Sequence, residues 1–169
     1  MIPNLLFVVG GFTGIFVLGE LVHRTWQVSS EATRKTVHIL AGLLAATLPW
    51  YLSYREVILL GISFSVLLVV SQWLNLLPSV HAVNRKTIGE ITFPVGLLLM
   101  AILFFRENPA AFQLGALILA LGDSSASLVG QSVGRREYHV FDTRKTYEGS
   151  LAFFAVSTLL IAAFSLSLL

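Results

Sequence analysis

The stretch at residues 117–130, LILALGDSSASLVG, places one carboxylate, Asp123, inside an apolar run. An aspartate near the centre of a membrane helix costs roughly 2.5–3.5 kcal/mol on insertion scales, so a functional role is expected for it. Ser127, Gly130 and Gly134 follow at steps of four, three and four, which places them on one stripe of a helix. Such a stripe is typical of close helix packing, but with an aspartate at its head the absence of large side chains would also let a phosphate or metal ion approach the backbone.

A second geometry breaks the helix at Gly122. Asp123 or Ser124 would then be the N-cap of a new helix, and the amides that follow would face an anion. Both geometries predict a site for a phosphate or a metal at this point of the chain.

The segment RKTYEGS lies shortly after this stretch and carries complementary groups. It supplies a cation, a carboxylate, two hydroxyls and a glycine, at Lys145, Glu148, Thr146, Ser150 and Gly149. These are the groups that bind a nucleotide phosphate and its Mg²⁺. The chain has no Walker A, Rossmann or protein-kinase glycine loop, so a nucleotide site here belongs to another class. It also has no cysteine, so a metal would bind to oxygen or imidazole.

Related basic tetrapeptides occur three times, as TRKT at 33–36, NRKT at 84–87 and TRKT at 143–146. Each copy is compatible with simple anchoring at lipid headgroups. In RKTVHILAG, a helix would place Arg34 and His38 one turn apart, so that they and Lys35 could contact a phosphate. A lone interfacial histidine is also compatible with a structural role.

The segment NRKTIGEITFPVG places Lys86 and Glu90 at positions i and i+4. They form either a surface ion pair or a contact for a metal or substrate. Pro94 lies inside the apolar run that follows, where a kink would widen a cavity.

The composition predicts that a membrane helix bundle positions these residues. The chain has 169 residues, of which 56% are hydrophobic and 12% are charged, whereas soluble domains have about 25% charged residues. The alternation typical of a membrane β-barrel is absent. We expect an all-α, polytopic bundle in one integral membrane domain, residues 1–169. Its six predicted spans are Ile2 to Val22, Val37 to Tyr54, Val57 to Leu77, Ile88 to Phe105, Ala110 to Gly130 and Gly149 to Leu169.

The charge distribution predicts the orientation of this bundle. Nine of the 11 Lys and Arg residues fall in three loops, at about 23–36, 78–87 and 131–148, and the others are Arg55 and Arg106. The positive-inside rule therefore predicts an outside N-terminus and three cytoplasmic loops. Basic loops of this kind indicate contact with the bilayer rather than with nucleic acid. The polar clusters would face the cytoplasm.

LGDSSASLVGQSVGRR followed by TRKTYEGSLAFF resembles the CTP-dependent lipid-alcohol kinases, namely dolichol kinase, phytol kinase and the CTP-using diacylglycerol kinase of fungi. Their pattern is an Asp with small residues and G-x-x-x-G, then Lys-[Ser/Thr]-x-Glu-Gly-Ser-[Leu]-Ala. The match covers about residues 118–155, and RKTVH and the Glu90 segment resemble weaker upstream motifs. The resemblance implies transfer of a phosphoryl group from CTP, with Mg²⁺, to a membrane alcohol: a polyprenol such as dolichol, phytol or diacylglycerol.

The resemblance also implies roles for individual residues. Asp123 would bind Mg²⁺ or orient the attacking hydroxyl, Glu148 would bind Mg²⁺, and Lys145 would contact the β or γ phosphate. Further nucleotide- or phosphate-binding candidates are Ser124, Ser127, Gly130, Gly134, Thr146, Gly149, Ser150, Arg34, Lys35 and His38. Lys86 and Glu90 are secondary candidates.

Two other functions stay open. A phosphatidate cytidylyltransferase would use CTP at the same membrane face, although the G-H-G-G-x-x-D-R-x-D ending of that related family is missing from this sequence. A small transporter would use Asp123 as an ion ligand. That function is disfavoured because Asp123 would lie about 20 Å from the outer end of its span, beyond the midplane that transporters favour. Kinases of this type commonly continue into another membrane segment, so a chain that ends at Leu169 is expected to be a short variant or to lack part of the site.

Overall fold

The computed structural model describes residues 2–74, 89–140 and 143–166. These ranges are helical apart from one β-hairpin and short connections. The helices are α1 (Ile2–Trp26), α2 (Ser30–Ala46), α3 (Leu48–Tyr51), α4 (Tyr54–Trp73), α5 (Gly89–Phe104), α6 (Pro109–Leu117), α7 (Asp123–Ser132) and α8 (Tyr147–Leu166). A π-helical turn, Ile118–Gly122, joins α6 to α7. Strands β1 (Glu137–Val140) and β2 (Thr143–Thr146) pair antiparallel.

The predicted all-α membrane bundle is confirmed in its architecture. Within the described ranges, four helical segments are long and apolar enough to cross a membrane: Pro3–Trp26, Tyr54–Ser71, Pro109–Ser132 and Tyr147–Leu166. They correspond to the predicted first, third, fifth and sixth spans. The apolar part of α5, Thr92–Phe104, is shorter. The total of six spans and the outside N-terminus stay predictions.

The second predicted span differs from the structure at both ends. α2 begins before Val37 because the Ser29 side chain caps it, accepting a hydrogen bond from the Ala32 amide at 3.3 Å. Such a cap contributes about 1 kcal/mol. The helix ends at Ala46, and Leu52 is extended before α4 begins. The first TRKT copy therefore lies inside a helix rather than in a loop.

The close approach of α2 to the π-helical turn positions the polar residues. A Cβ on Gly42 would lie 2.3 Å from the Cβ of Ala120, so only glycine allows the two backbones to come this close. On its other side α2 packs against α1, while α4 packs against α5 and α7 packs against α8. Residues one turn from Gly42 are thereby brought next to the residues that flank Ala120.

The outer surface of the bundle is apolar. Leu6, Leu59, Leu151 and Leu159 are each about two-thirds exposed. Large apolar side chains on the outside of long apolar helices suit contact with lipid chains. The chain is a membrane protein.

Candidate functional site

His38 and Asp123 meet where α2 crosses the π-helical turn. The His38 Nε2 lies 3.9 Å from the Asp123 Oδ2, although the residues are far apart in the sequence. The Asp123 side chain is 62% exposed and the His38 side chain 19%. The Asp123 carboxylate, which would be energetically costly inside a membrane helix, therefore lies at an exposed position beside the His38 imidazole.

A backbone carbonyl fixes the orientation of His38. Its Nε2 lies 3.0 Å from the Leu119 oxygen. In a π-helical turn the hydrogen-bond ladder shifts by one residue, and such turns often lie at functional sites. Because a carbonyl only accepts, Nε2 carries the proton of the neutral ring and Nδ1 is left as an acceptor. The Phe93 ring packs against the imidazole, with centroids 4.1 Å apart.

The structure distinguishes the two geometries predicted at Gly122, a continuous helix and a helix that breaks there. Gly122 and Asp123 both have right-handed helical dihedrals, and no side chain caps the start of α7. The helix continues through Asp123, so the N-cap alternative for Asp123 or Ser124 is wrong. Ser124 is buried, at 4% exposure, and within the described residues its Oγ has no hydrogen-bond partner.

Glu31, which the sequence analysis missed, organises the basic residues of α2. Its carboxylate lies 3.0 Å from Arg34 Nη2 and 3.4 Å from Lys35 Nζ. It also accepts a hydrogen bond from Gln131 Nε2 at 3.1 Å, and the same amide donates to Ser127 Oγ at 3.0 Å. This cluster of five residues, the Glu31 cluster, joins the start of α2 to α7. The sequence signal for this cluster was the position of Glu31, three and four residues before Arg34 and Lys35.

The Glu31 cluster keeps its carboxylate ionised. Burial raises the pKa of Glu31, but the hydrogen bond from Gln131 and the hydrogen bond and charge of Arg34 lower it, as does the charge of Lys35. The net effect places the pKa below that of an ordinary glutamate.

The predicted stripe of small residues divides into two faces. Asp123 and Ser127 lie toward α2, with Gln131 one turn further on. Gly130 lies toward α8, where a Cβ would meet Thr146 Oγ1 at 2.7 Å. A Cβ on Gly134 would lie 2.2 Å from the Gly130 carbonyl oxygen. The glycines make close packing of the hairpin and α8 possible, and phosphate binding by them stays a prediction.

Gly149 and Ser150 belong to the same packed region. A Cβ on Gly149 would lie 2.6 Å from the Ala126 carbonyl oxygen. Thr146 caps α8, since its Oγ1 accepts from the Gly149 amide at 3.1 Å. Ser150 Oγ donates to the Thr146 carbonyl and lies 2.6 Å from the Tyr138 hydroxyl.

Glu148 holds the base of the hairpin. Both carboxylate oxygens accept from the Arg136 amide, at 3.3 and 3.4 Å. The Tyr147 amide donates to the Arg136 carbonyl at 3.0 Å. Glu148 therefore has a structural partner, and lone pairs remain on its carboxylate for another ligand.

Lys145 is the open cation of the hairpin. It is exposed on β2, opposite Tyr138, and among the residues with described positions it forms no ion pair. Its neighbour Arg144 is bound to Glu137. Lys145 is therefore available to an anion.

The remaining predicted residues are not placed. Lys86 lies outside the described residues, as does the side chain of Glu90, whose backbone begins α5. Across the ranges that the structure covers, no group of three or more His, Asp or Glu side chains is close enough to bind a metal. The Mg²⁺ assignment to Asp123 and Glu148 stays a prediction.

An apolar groove opens beside the His38–Asp123 pair. It lies among α1, α2, α4 and α5, and its lining is almost entirely apolar. Arg34 and His38 are its polar lining residues, and Phe93 and Pro94 line it next to them. The predicted cavity near Pro94 therefore exists.

Similarity to known proteins identifies the family. The phytol kinase of Synechocystis sp. is 35% identical over 157 residues, which cover 90% of this chain and 67% of that protein. An uncharacterized protein of Methanocaldococcus jannaschii is 28% identical over 148 residues, 79% of this chain and 72% of that protein. No family model matches the chain, and no solved structure shows significant similarity to it. Identity of this extent to phytol kinase shows that the chain belongs to the lipid-alcohol kinase family that its two motifs resemble.

Proposed function

We propose that this protein transfers the γ-phosphoryl group of CTP to the hydroxyl of a membrane lipid alcohol at the cytoplasmic face. The observation that carries the proposal is that His38, which lines the polar end of an apolar groove, lies 3.9 Å from Asp123. A lipid alcohol has the same polarity, with one hydroxyl on a long hydrocarbon chain. Membership of the phytol kinase family supports the same reaction.

The reaction requires positioning and charge neutralisation more than covalent chemistry. The alcohol oxygen attacks the γ phosphorus, the bond to the β-phosphate oxygen breaks, and CDP leaves. Asp123 orients the hydroxyl, whose proton passes either to the Asp123 carboxylate or to Nδ1 of His38. The orientation of His38 by the Leu119 carbonyl favours the second route, because it leaves Nδ1 as the acceptor.

The nucleotide lies, in this proposal, between the hairpin and the start of α2. Lys145 is exposed on the hairpin, and Arg34 and Lys35 become available when a triphosphate competes with Glu31 for them. A nucleotide-bound Mg²⁺ commonly takes one or two carboxylates together with the phosphates, and Asp123 and Glu148 are the carboxylates that would hold it in this proposal. The ion would neutralise charge on the phosphates.

A labelling experiment tests the reaction. Purified protein is incubated with phytol or a lipid extract and with CTP labelled at either the γ or the α phosphate. Label that reaches the lipid from the γ position supports a kinase. Transfer from the α position would instead indicate a cytidylyltransferase, and no transfer from either position would contradict both.

Two controls sharpen the result. ATP and GTP labelled at the γ position test the choice of nucleotide, and removal of Mg²⁺ with a chelator tests the ion. CTP added to sealed vesicles of known orientation tests the membrane face. Activity only when the cytoplasmic face is accessible supports the proposed orientation.

A further inference from the structure

The two ends of the apolar groove differ in polarity. Along α2 its lining runs from Arg34 and His38 to Ala45, and the eleven steps from Arg34 to Ala45 correspond to about 17 Å at 1.5 Å rise per residue. The far end is formed by Ala45, Leu48, Ala101 and Phe112, which all belong to one buried cluster. The groove is therefore polar at Arg34 and His38 and closed by apolar side chains at the other end.

Small residues line the far end of the groove. Ala45 and Ala101 are both 1% exposed and line its far end. A larger side chain at either position would project into the space or displace its neighbours. These two alanines are suited to setting the length of whatever enters.

We propose that this groove binds the hydrocarbon tail of the alcohol and that Ala45 and Ala101 set the tail length that the enzyme accepts. The inference rests on the proposed kinase function, and it assigns the substrate-binding cavity and its specificity-determining residues. The hydroxyl lies beside His38 and Asp123 while the tail extends along α2. Because the alcohol arrives from lipid rather than water, the hydrophobic effect contributes little, and selection depends on fit.

Variants with a shortened groove test the proposal. The wild-type protein, Ala45→Leu and Ala101→Leu are each assayed with geraniol, farnesol and phytol. We expect kcat/KM for phytol relative to geraniol to fall by about tenfold or more in both variants, because the longer tail no longer fits. Activity on geraniol reports that each variant is folded.

Ala155→Leu provides the matched control, because Ala155 is exposed on α8 outside the groove. Its ratio of phytol to geraniol activity should equal that of the wild type. An unchanged ratio in both groove variants, with retained activity, would overturn the assignment. If the wild type phosphorylates none of the alcohols, the kinase proposal itself has failed.

A second type of variant tests the proposal if the leucine variants are inactive on every alcohol. Leu48→Ala removes a 5% exposed side chain from the closed end. It should raise activity on longer polyprenols relative to phytol by several fold. Equal relative activity in wild type and Leu48→Ala would contradict the assignment.

Discussion

The tetrapeptide TRKT occurs at 33–36 and at 143–146, and the two copies adopt different structures. The first lies in α2, where Ser29 caps the helix and Thr33 is 3% exposed. The second forms β2, paired residue by residue with β1. Four identical residues are therefore helical or extended according to the cap or the partner strand that the rest of the chain provides.

The two geometries give the cations different partners. On a helix, residues three and four positions after a carboxylate share its face, so Arg34 and Lys35 both reach Glu31. On a strand, neighbouring side chains point to opposite faces, so Lys145 cannot share the Glu137 partner of Arg144. The helical copy is pre-organised beside the His38–Asp123 pair, whereas the strand copy offers one open cation.

This comparison predicts different functional roles for the residues at the two copies. Substitution of Asp123, beside the helical copy, should affect the chemical step, and substitution of Lys145 in the strand copy should affect nucleotide binding. The first two predictions below test that difference and the others test what stabilises each region, beginning with the largest expected effect.

Asp123→Asn should reduce kcat by about 10²- to 10⁴-fold, because the amide lacks the negative charge that orients the hydroxyl and stabilises a protonated His38 beside it. The substitution keeps the size of the side chain at a 62% exposed position, so membrane insertion and thermal unfolding should be unchanged. Turnover is measured with γ-labelled CTP. Full activity in this variant would remove Asp123 from the mechanism.

Lys145→Ala should raise KM for CTP by about 10- to 100-fold, which corresponds to the loss of one charge-assisted contact of about 1.5–3 kcal/mol. The matched control is Arg144→Ala, since Arg144 already has Glu137 as a partner and exposed pairs contribute about 1 kcal/mol or less. Steady-state kinetics in CTP separate KM from kcat. Equal effects of the two variants would contradict the proposed role of the open cation.

Gly134→Ala should lower the free energy of unfolding by about 1–3 kcal/mol, because its Cβ would meet the Gly130 carbonyl oxygen and the Thr146 methyl group. Gly14→Ala is the control: nothing lies within 4 Å of the added Cβ, so stability should be unchanged or slightly higher. Thermal unfolding in detergent measures both. A stable Gly134→Ala protein with weakened CTP binding would instead favour contact between this glycine and phosphate.

Thr146→Ala should cost about 1 kcal/mol of stability, because it removes the side chain that caps α8. Thr36 is its counterpart in the helical copy and donates to the Ala32 carbonyl of its own helix, so Thr36→Ala should change stability by a few tenths of a kcal/mol or less. The same unfolding assay compares the two. Equal losses of stability in the two variants would contradict a capping role for Thr146 that Thr36 lacks.

Glu31→Gln should have the smallest effect and should depend on pH. The folded pKa of Glu31 lies below the usual 4.5, so its contribution to stability is complete above that value and is lost as the pH falls through the lowered pKa. The difference in stability between wild type and variant should therefore shrink below about pH 4.5. A difference that stays constant across this range would show that the ionised carboxylate is not what stabilises the Glu31 cluster.

Much of the scaffold follows from the sequence alone. Long apolar runs have no stable solution in lipid other than helices, so four spanning helices could be located from hydropathy. The carboxylate in LGDSS and the groups in RKTYEGS were recognisable because their types are costly or unusual at those positions. Those two segments also carried the resemblance to the family that similarity to phytol kinase confirms.

Only the tertiary structure decided which of these groups meet. His38 reaches Asp123 because glycine at position 42 lets α2 approach Ala120, and helical periodicity does not encode a contact between distant helices. The π-helical turn and the link from Glu31 to Gln131 also depend on that crossing. Local sequence pattern therefore determined the helices and identified the candidate residues. Packing between distant segments determined which side chains pair and where the apolar groove lies.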